Sequence, residues 1–432
     1  MHKLIVILIL CLSSAQLRAQ DLVDIYRLAL INDAELMIAV AVYQSELEFL
    51  PVATSARKPQ IDFTVDGTLI EADQSNLPSN SITSYGYGLN LVQNLYNAEI
   101  LASIDAAEAN VARARADLEV SQQDLILRVA ERYFAILAAQ DNVEFAKAEE
   151  TAIGRQLEQA EKRFEVGLIA ITDVLEAQAQ SDSAVSRTLL AENLLENSYQ
   201  ALLVIIAEPP SAALARLGDQ LELKLPDPAN IDQWVETSLQ NNRSLISALA
   251  AQKVAEYVRE GRSKANYPNI DLTASYTDRS VDTTLIDDFE RDELRLMVQL
   301  DVPLFTGGRI SAERQQAEAN YRSAQSATLL QRRLTSQETR VAYLGVVFGI
   351  SQVKALEQSL ASSATALEAT EAGFDVGTRT SIDVLISLRE TFRAQRDYAG
   401  SRYEYLINIL KLKQATGLLN LDDLEAINSW LR

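Results

Sequence analysis

Phe164-Glu165-Val166-Gly167-Leu168-Ile169-Ala170-Ile171-Thr172-Asp173-Val174-Leu175 is answered 210 residues later by Phe374-Asp375-Val376-Gly377-Thr378-Arg379-Thr380-Ser381-Ile382-Asp383-Val384-Leu385. Working outward, the same shift pairs Glu108 with Glu318, Asn110 with Asn320 and Tyr133 with Tyr343. Ahead of Leu95 and Leu304 the shift becomes 209 and pairs Leu30 with Leu239, Leu36 with Leu245, Pro59 with Pro268 and Asp62 with Asp271. The chain is an internal duplication. Its expected division is a secretory signal over 1–19, a first repeat over 20–208, a linker over 209–229, a second repeat over 230–417 and a tail over 418–432.

Each repeat has the same order of elements. Residues 20–57 and 231–265 read as single helices, stopped by Pro59 and Pro268. The period then changes to two: Ile61, Phe63, Val65 and Leu69 alternate with Asp62, Thr64, Asp66 and Thr68, and Ile270, Leu272, Ala274 and Tyr276 with Asp271, Thr273, Ser275 and Thr277. Strands are expected at about 61–70, 85–93, 270–279 and 293–302, the length a tilted membrane-spanning strand requires. Polar loops, Glu71 to Ser81 and Ser280 to Asp292, join them. The second carries Asp282, Asp287, Asp288, Glu290 and Asp292, without the spacing of a calcium loop, and reads as a solvated tip.

After each strand pair comes a helical hairpin, at about 98–207 and 309–416, whose first arms would be roughly 100 Å long at 1.5 Å per residue. Leu334, Val341 and Phe348 recur every seven residues, as do Val353, Leu360, Leu367 and Phe374, with a break of phase near Gly349. Gly167 and Gly377 turn the arms back, since glycine adopts φ > 0 without strain.

Four strands cannot close a barrel, and open edges cannot sit in lipid because their N–H and C=O groups would lack partners. Closure would have to come from further copies of the chain, three of which supply twelve strands. The competing reading of the pattern is two soluble β-hairpins packed on helices. Tyr85, Tyr87 and Tyr276 fit a membrane-interface belt or ordinary strand aromatics.

Composition removes other classes. Of 432 residues, 9 are Pro and 15 Gly, and 48% are hydrophobic, which excludes collagen-like and disordered chains. Sixty acidic against 39 basic residues give −21, unsuited to binding nucleic acid. The only His is His2 and the only Cys is Cys11, both in the apparent leader, so histidine- or cysteine-based catalysis, zinc sites and disulfides are excluded. No cofactor or metal is expected. His2 and Lys3, the apolar stretch Leu4 to Leu12, and Ala15 or Ala19 form the parts of a secretory signal. Leu10 stands where lipidation of Cys11 would want a small residue. No later stretch approaches an uninterrupted membrane helix.

The two motifs quoted first, with the duplication, the strand pairs and Leu304-Phe305-Thr306-Gly307-Gly308, resemble the TolC family of bacterial outer-membrane efflux proteins over essentially the whole mature chain. The resemblance implies an α+β membrane protein, mainly α, assembled as a homotrimer with a 12-stranded outer-membrane β-barrel continued by a periplasmic α-helical barrel. It implies a passive exit duct of a tripartite efflux or type I secretion system, catalysing nothing, partnered by a periplasmic adaptor protein, an inner-membrane transporter and outer-membrane lipid. In the family a closed periplasmic end is held by an Arg, an Asp, a Thr and a Tyr. Arg379, Asp173 and Thr172 stand at the matching positions, and Phe374 replaces the Tyr. The gate is therefore expected to rest on the Arg379 to Asp173 pair. Of the family's two acidic constriction rings, Asp383 matches one, and Ile386 occupies the other. Glu176, one turn after Asp173, is a second candidate for acidity at the entrance or half of a solvated surface pair.

Two other classes compete. A periplasmic coiled-coil adaptor or structural protein would need one helical hairpin and no membrane strands. A carboxylate enzyme would need a compact pocket, which such long helices do not form.

Overall fold

The computed structural model describes residues 19–72, 80–218, 221–283 and 288–432. The leader with His2 and Cys11, the two hairpin tips and Asp287 lie outside the described residues. The first repeat runs α1 (Leu22–Asn32), α2 (Ala34–Leu47), α3 (Phe49–Ser55), β1 (Gln60–Ala72), β2 (Asn80–Tyr96), α4 (Ala98–Glu165) and α5 (Ile171–Ile206). The second runs α6 (Ile231–Asn241), α7 (Arg243–Ser263), β3 (Asn269–Thr283), β4 (Phe289–Asp301), α8 (Arg309–Asp375) and α9 (Ser381–Ala415), followed by α10 (Leu421–Asn428). The chain is mainly helical.

Two compact units cut across the duplication. One gathers the chain up to Ala39 with Leu118–Arg243 and Arg332–Arg432, and the other Val40–Asp117 with Ser244–Gln331.

The second of these holds all four strands, in one antiparallel sheet of order β1-β2-β3-β4. The hairpins of the two repeats thus pair side by side through β2 and β3, and β1 and β4 are left as edges. Ile61, Phe63, Val65 and Leu69 on β1 and Leu294, Leu296, Val298 and Leu300 on β4 are each between 61% and 79% exposed, an apolar face with nothing packed on it. On the other face Arg279 reaches across Gly86, its neighbour in register, to Asp66 at 2.7 Å. Gly86 is required there, because a Cβ would lie 2.6 Å from the Asp278 carbonyl oxygen. Tyr87 donates to Asp278 at 3.0 Å and its ring neighbours Phe63 and Tyr276.

The strands, at 13, 17, 15 and 13 residues, are longer than expected. Asn80 and Ser81, Ser280 to Thr283 and Phe289 to Asp292, expected as loop, are paired in register. Ladder hydrogen bonds need only backbone, so pairing continues where the apolar alternation stops.

The other unit is built of helices. The single helices expected over 20–57 and 231–265 are broken at Asp33 and Asn242, whose ψ of 114° and 124° leave the helical region. The two residues are equivalent in the repeat. Buried Asp33 accepts from the Leu36 N–H at 2.7 Å, capping α2, and is held by both terminal nitrogens of Arg128 at 3.0 Å. Buried Asn242 donates to the Ala415 carbonyl at 3.0 Å. The long arms are continuous helices of 68 and 67 residues, with Gly349 inside the second facing Tyr405.

By length and composition alone, Ala34–Ser55 is long and apolar enough to cross a membrane, although Glu35, Glu46 and Glu48 interrupt its apolar residues. Its far half carries Glu46, ion-paired to Arg113 and hydrogen-bonded to Asn110 of α4, so it packs as a helix of this domain.

The linker is strapped to both ends of the described chain. Gln20 and Ala215 exchange backbone bonds with Ala213 and Gln20 at 2.9 Å, and Arg216 and Arg432 bond each other at 3.0 and 2.8 Å. Buried Tyr133 donates to the Ala215 carbonyl at 2.7 Å. Burial and the carboxylate of Asp21 push its hydroxyl pKa far above the ordinary tyrosine value.

Gly417 ends α9 with φ +70°, and a Cβ there would lie 2.1 Å from the Asn241 carbonyl oxygen. Gly417→Ala is expected to cost more than the about 1–2 kcal/mol of a left-handed residue, because backbone must also move. A lowered denaturant midpoint in detergent, with α10 losing hydrogen-exchange protection first, is the expected result.

Candidate functional site

The two turns quoted at the outset are built alike. Gly167 and Gly377 have φ of +76° and +79°. Gly167 donates to Phe164 O at 2.8 Å and Leu168 to Arg163 O at 2.9 Å; Gly377 donates to Phe374 O at 3.0 Å and Thr378 to Gly373 O at 2.8 Å. Each pair of bonds satisfies the last carbonyls of a long arm with glycine as the left-handed residue. The apices are apolar and open: Val166, Leu168 and Val376 are 69%, 72% and 75% exposed.

The returning helices start differently. Thr380 caps α9 in a reciprocal box: its hydroxyl accepts from the Asp383 N–H at 3.2 Å, while the Asp383 carboxylate accepts from the Thr380 N–H and hydroxyl at 2.9 Å. These bonds, and more weakly Arg379, hold the Asp383 carboxyl below the usual carboxylate range. Helix α5 begins at Ala170, which has no side chain to cap with. Thr172 and Asp173 lie in its first turn, and among the described residues neither makes a side-chain hydrogen bond or ion pair. Glu176 is exposed and equally unpartnered.

Arg379 is exposed, and within this chain it is not paired with Asp173 or Thr172. Its side chain folds back over Gly373, where a Cβ would stand 2.8 Å from Arg379 Cγ. Phe374 has a different partner. The guanidinium carbon of Arg163, on α4, lies 4.2 Å from the centre of its ring. Beneath the turns Ile153 and Ala160 of α4, Ala177 and Ala184 of α5 and Leu385 and Leu388 of α9 form one buried core.

Further from the turns, the hairpins are joined again. The Glu149 carboxylate, 1% exposed, is held by Arg187 of α5 at 2.7 Å and by Arg396 of α9 at 3.1 Å. Residue-type patterning missed Arg163 and Glu149, because a charge on a long helix reads as surface. The available signal for Arg163 was the repeat itself, which sets it opposite Gly373.

The profile of the outer membrane efflux protein family matches residues 25–208 and again 234–418. The chain is 36% identical over 425 residues to outer membrane protein TolC of Vibrio cholerae serotype O1, covering 97% of this chain and 95% of the relative. It is 31% identical to outer membrane protein TolC of Escherichia coli strain K12, covering 100% and 90%, and 26% identical to the alkaline protease secretion protein AprF of Pseudomonas aeruginosa, covering 95% and 87%. Among solved structures, the CmeC outer membrane channel of Campylobacter jejuni superposes with a TM-score of 0.82 at 18% identity, covering 95% and 90% of the two chains. CusC gives 0.81 at 19%, covering 92% of each, so the fold is shared.

Two outcomes are expected from this geometry. Glu149→Ala leaves two facing arginines without their carboxylate, at a cost of about 3 kcal/mol, the low end for a broken buried pair because both guanidiniums reach water. Denaturant unfolding in detergent checks it. Because the folded Asp383 carboxyl is depressed, its cap is fully formed above the ordinary aspartate value of about 4 and is lost as pH falls through the lower folded value. Hydrogen exchange in the first turn of α9 should therefore rise only on acidification below about pH 4, and Asp383→Asn should abolish that pH step.

Proposed function

The chain belongs to the outer membrane efflux protein family, and from that membership we infer that it works as a homotrimeric exit duct with a gate at its helical turns. It is an outer-membrane channel with a periplasmic extension, of the efflux and type I secretion kind, and not an enzyme. The trimer is supported by the sheet. Four strands with two unpaired edges and an apolar outer face need partners for β1 and β4, and three copies make a closed barrel of twelve. A periplasmic adaptor, the competing reading, would carry no such sheet.

Conduction is passive, and the gate lies at the turns after Glu165 and Asp375. The observation that carries this reading is that Arg379, Asp173 and Thr172 lie in the turn regions of the two hairpins and make no side-chain hydrogen bond or ion pair among the described residues of their own chain. In the trimer Arg379 of one protomer meets Asp173 and Thr172 of the next. Asp383 forms the acidic ring, where repulsion among three carboxylates opposes the depression that its cap imposes. The exposed apolar apices are the surface offered to a periplasmic adaptor, which joins the duct to an inner-membrane transporter.

Arg379→Ser is expected to raise single-channel conductance in planar bilayers. Unchanged conductance places the gate elsewhere, and a detergent-solubilised mass other than three chains refutes the trimer.

A further inference from the structure

We infer that Arg163 is a gate residue of this chain, latching the second hairpin to the first through the ring of Phe374. The inference rests on the reading of the turns as the gate. The expectation from sequence was that loss of the family's tyrosine hydroxyl leaves the Arg379 to Asp173 pair to do the work. The structure supplies a contact that needs no hydroxyl: the Arg163 guanidinium stands 4.2 Å from the Phe374 ring centre. Among the described residues Arg163 has no ion pair, so the ring is its partner.

Its position is fixed from three sides. The Arg163 carbonyl accepts the Leu168 N–H that closes the first turn, which fixes the backbone from which its side chain reaches the ring. A cation in the last turn of α4 is favoured by the negative end of the helix dipole. The repeat has also diverged in a complementary way. Opposite Arg163 the second repeat has Gly373, and the missing Cβ gives Arg379 room to fold back. One motif thus provides the cation that grips a ring, while the other provides the ring and a cation left free for the neighbouring protomer.

The latch closes one end of a defined segment. At the other end, the buried carboxylate of Glu149 ties Arg187 of the first hairpin to Arg396 of the second. Fourteen residues, or about 21 Å of helix, separate Glu149 from Arg163. Between these points apolar packing joins the hairpins, and among the described residues no ion pair crosses between them. Opening therefore breaks the stack and leaves the Glu149 contact intact.

The test is single-channel recording of the full-length protein in planar bilayers, with Phe374→Leu, Phe374→Tyr, Arg163→Gln and the double variant Phe374→Leu/Arg163→Gln. Phe374→Leu and Arg163→Gln should each raise the open population about two- to fivefold, the size of an exposed cation–π contact. The double variant should exceed neither single one. Phe374→Tyr keeps the π face and should conduct as the parent does, separating a lost stack from a disturbed fold. Single variants that leave conductance unchanged, or that add independently in the double one, overturn the latch. If Arg379→Ser still raises conductance in that case, the gate stands and only Arg163 is excluded. If no variant at the turns changes conductance, the reading of the gate itself fails.

Discussion

A strand in hydrocarbon has to pair both of its edges, because no water is present to satisfy its N–H and C=O groups. Among the described residues one chain offers four strands, with the far edges of β1 and β4 unpaired and one face of each covered in exposed Ile, Leu, Val and Phe side chains. Everything else follows from that shortfall. The duplication places two hairpins in one sheet, and the proposed trimer would complete it. The arms then have to be organised at their far ends by contacts within and between chains.

Much of this was legible in the sequence, because the signals are local and repeated. Alternation after Pro59 and Pro268 gave the strands, glycine between long uninterrupted runs gave the turns, and the offset of 209 or 210 residues tied the two halves together. The expected ends of the helical hairpins, at about 207 and 416, came within one residue of the ends of α5 and α9. What escaped has a common cause. Asp33 and Asn242 break their helices through side-chain caps that depend on Arg128 and on the Ala415 carbonyl, neither nearby in sequence. Pairing of Asn80 and Ser81 follows from their neighbours in the sheet, not from their own polar side chains.

The gate was legible only in half. The resemblance supplied Arg379, Asp173, Thr172 and Asp383, and the structure shows what each does inside one chain: Asp383 is engaged in a helix cap, while Arg379 and Asp173 are not joined. Glu149 was invisible because a glutamate in the middle of a 68-residue helix reads as solvated. Its burial depends on two arginines from helices that follow much later in the chain. Long-range polar contacts of this kind leave no periodic trace.

The separation of Glu149 from the turns carries a mechanical consequence. A stiff arm of about 20 Å, hinged at a buried ion triad, works as a lever with its fulcrum far from the load. Tilting it by about 10° carries the turn roughly 4 Å sideways, comparable to the diameter of a methyl group, with almost no disturbance of the packing at the fulcrum. In the proposed trimer three such levers acting together would widen an aperture by an amount that matters to a solute, with each long helix flexing near Glu149. If the proposed gate opens in this way, the length of the arm below the triad, more than the strength of any single contact, would set how far the duct can dilate.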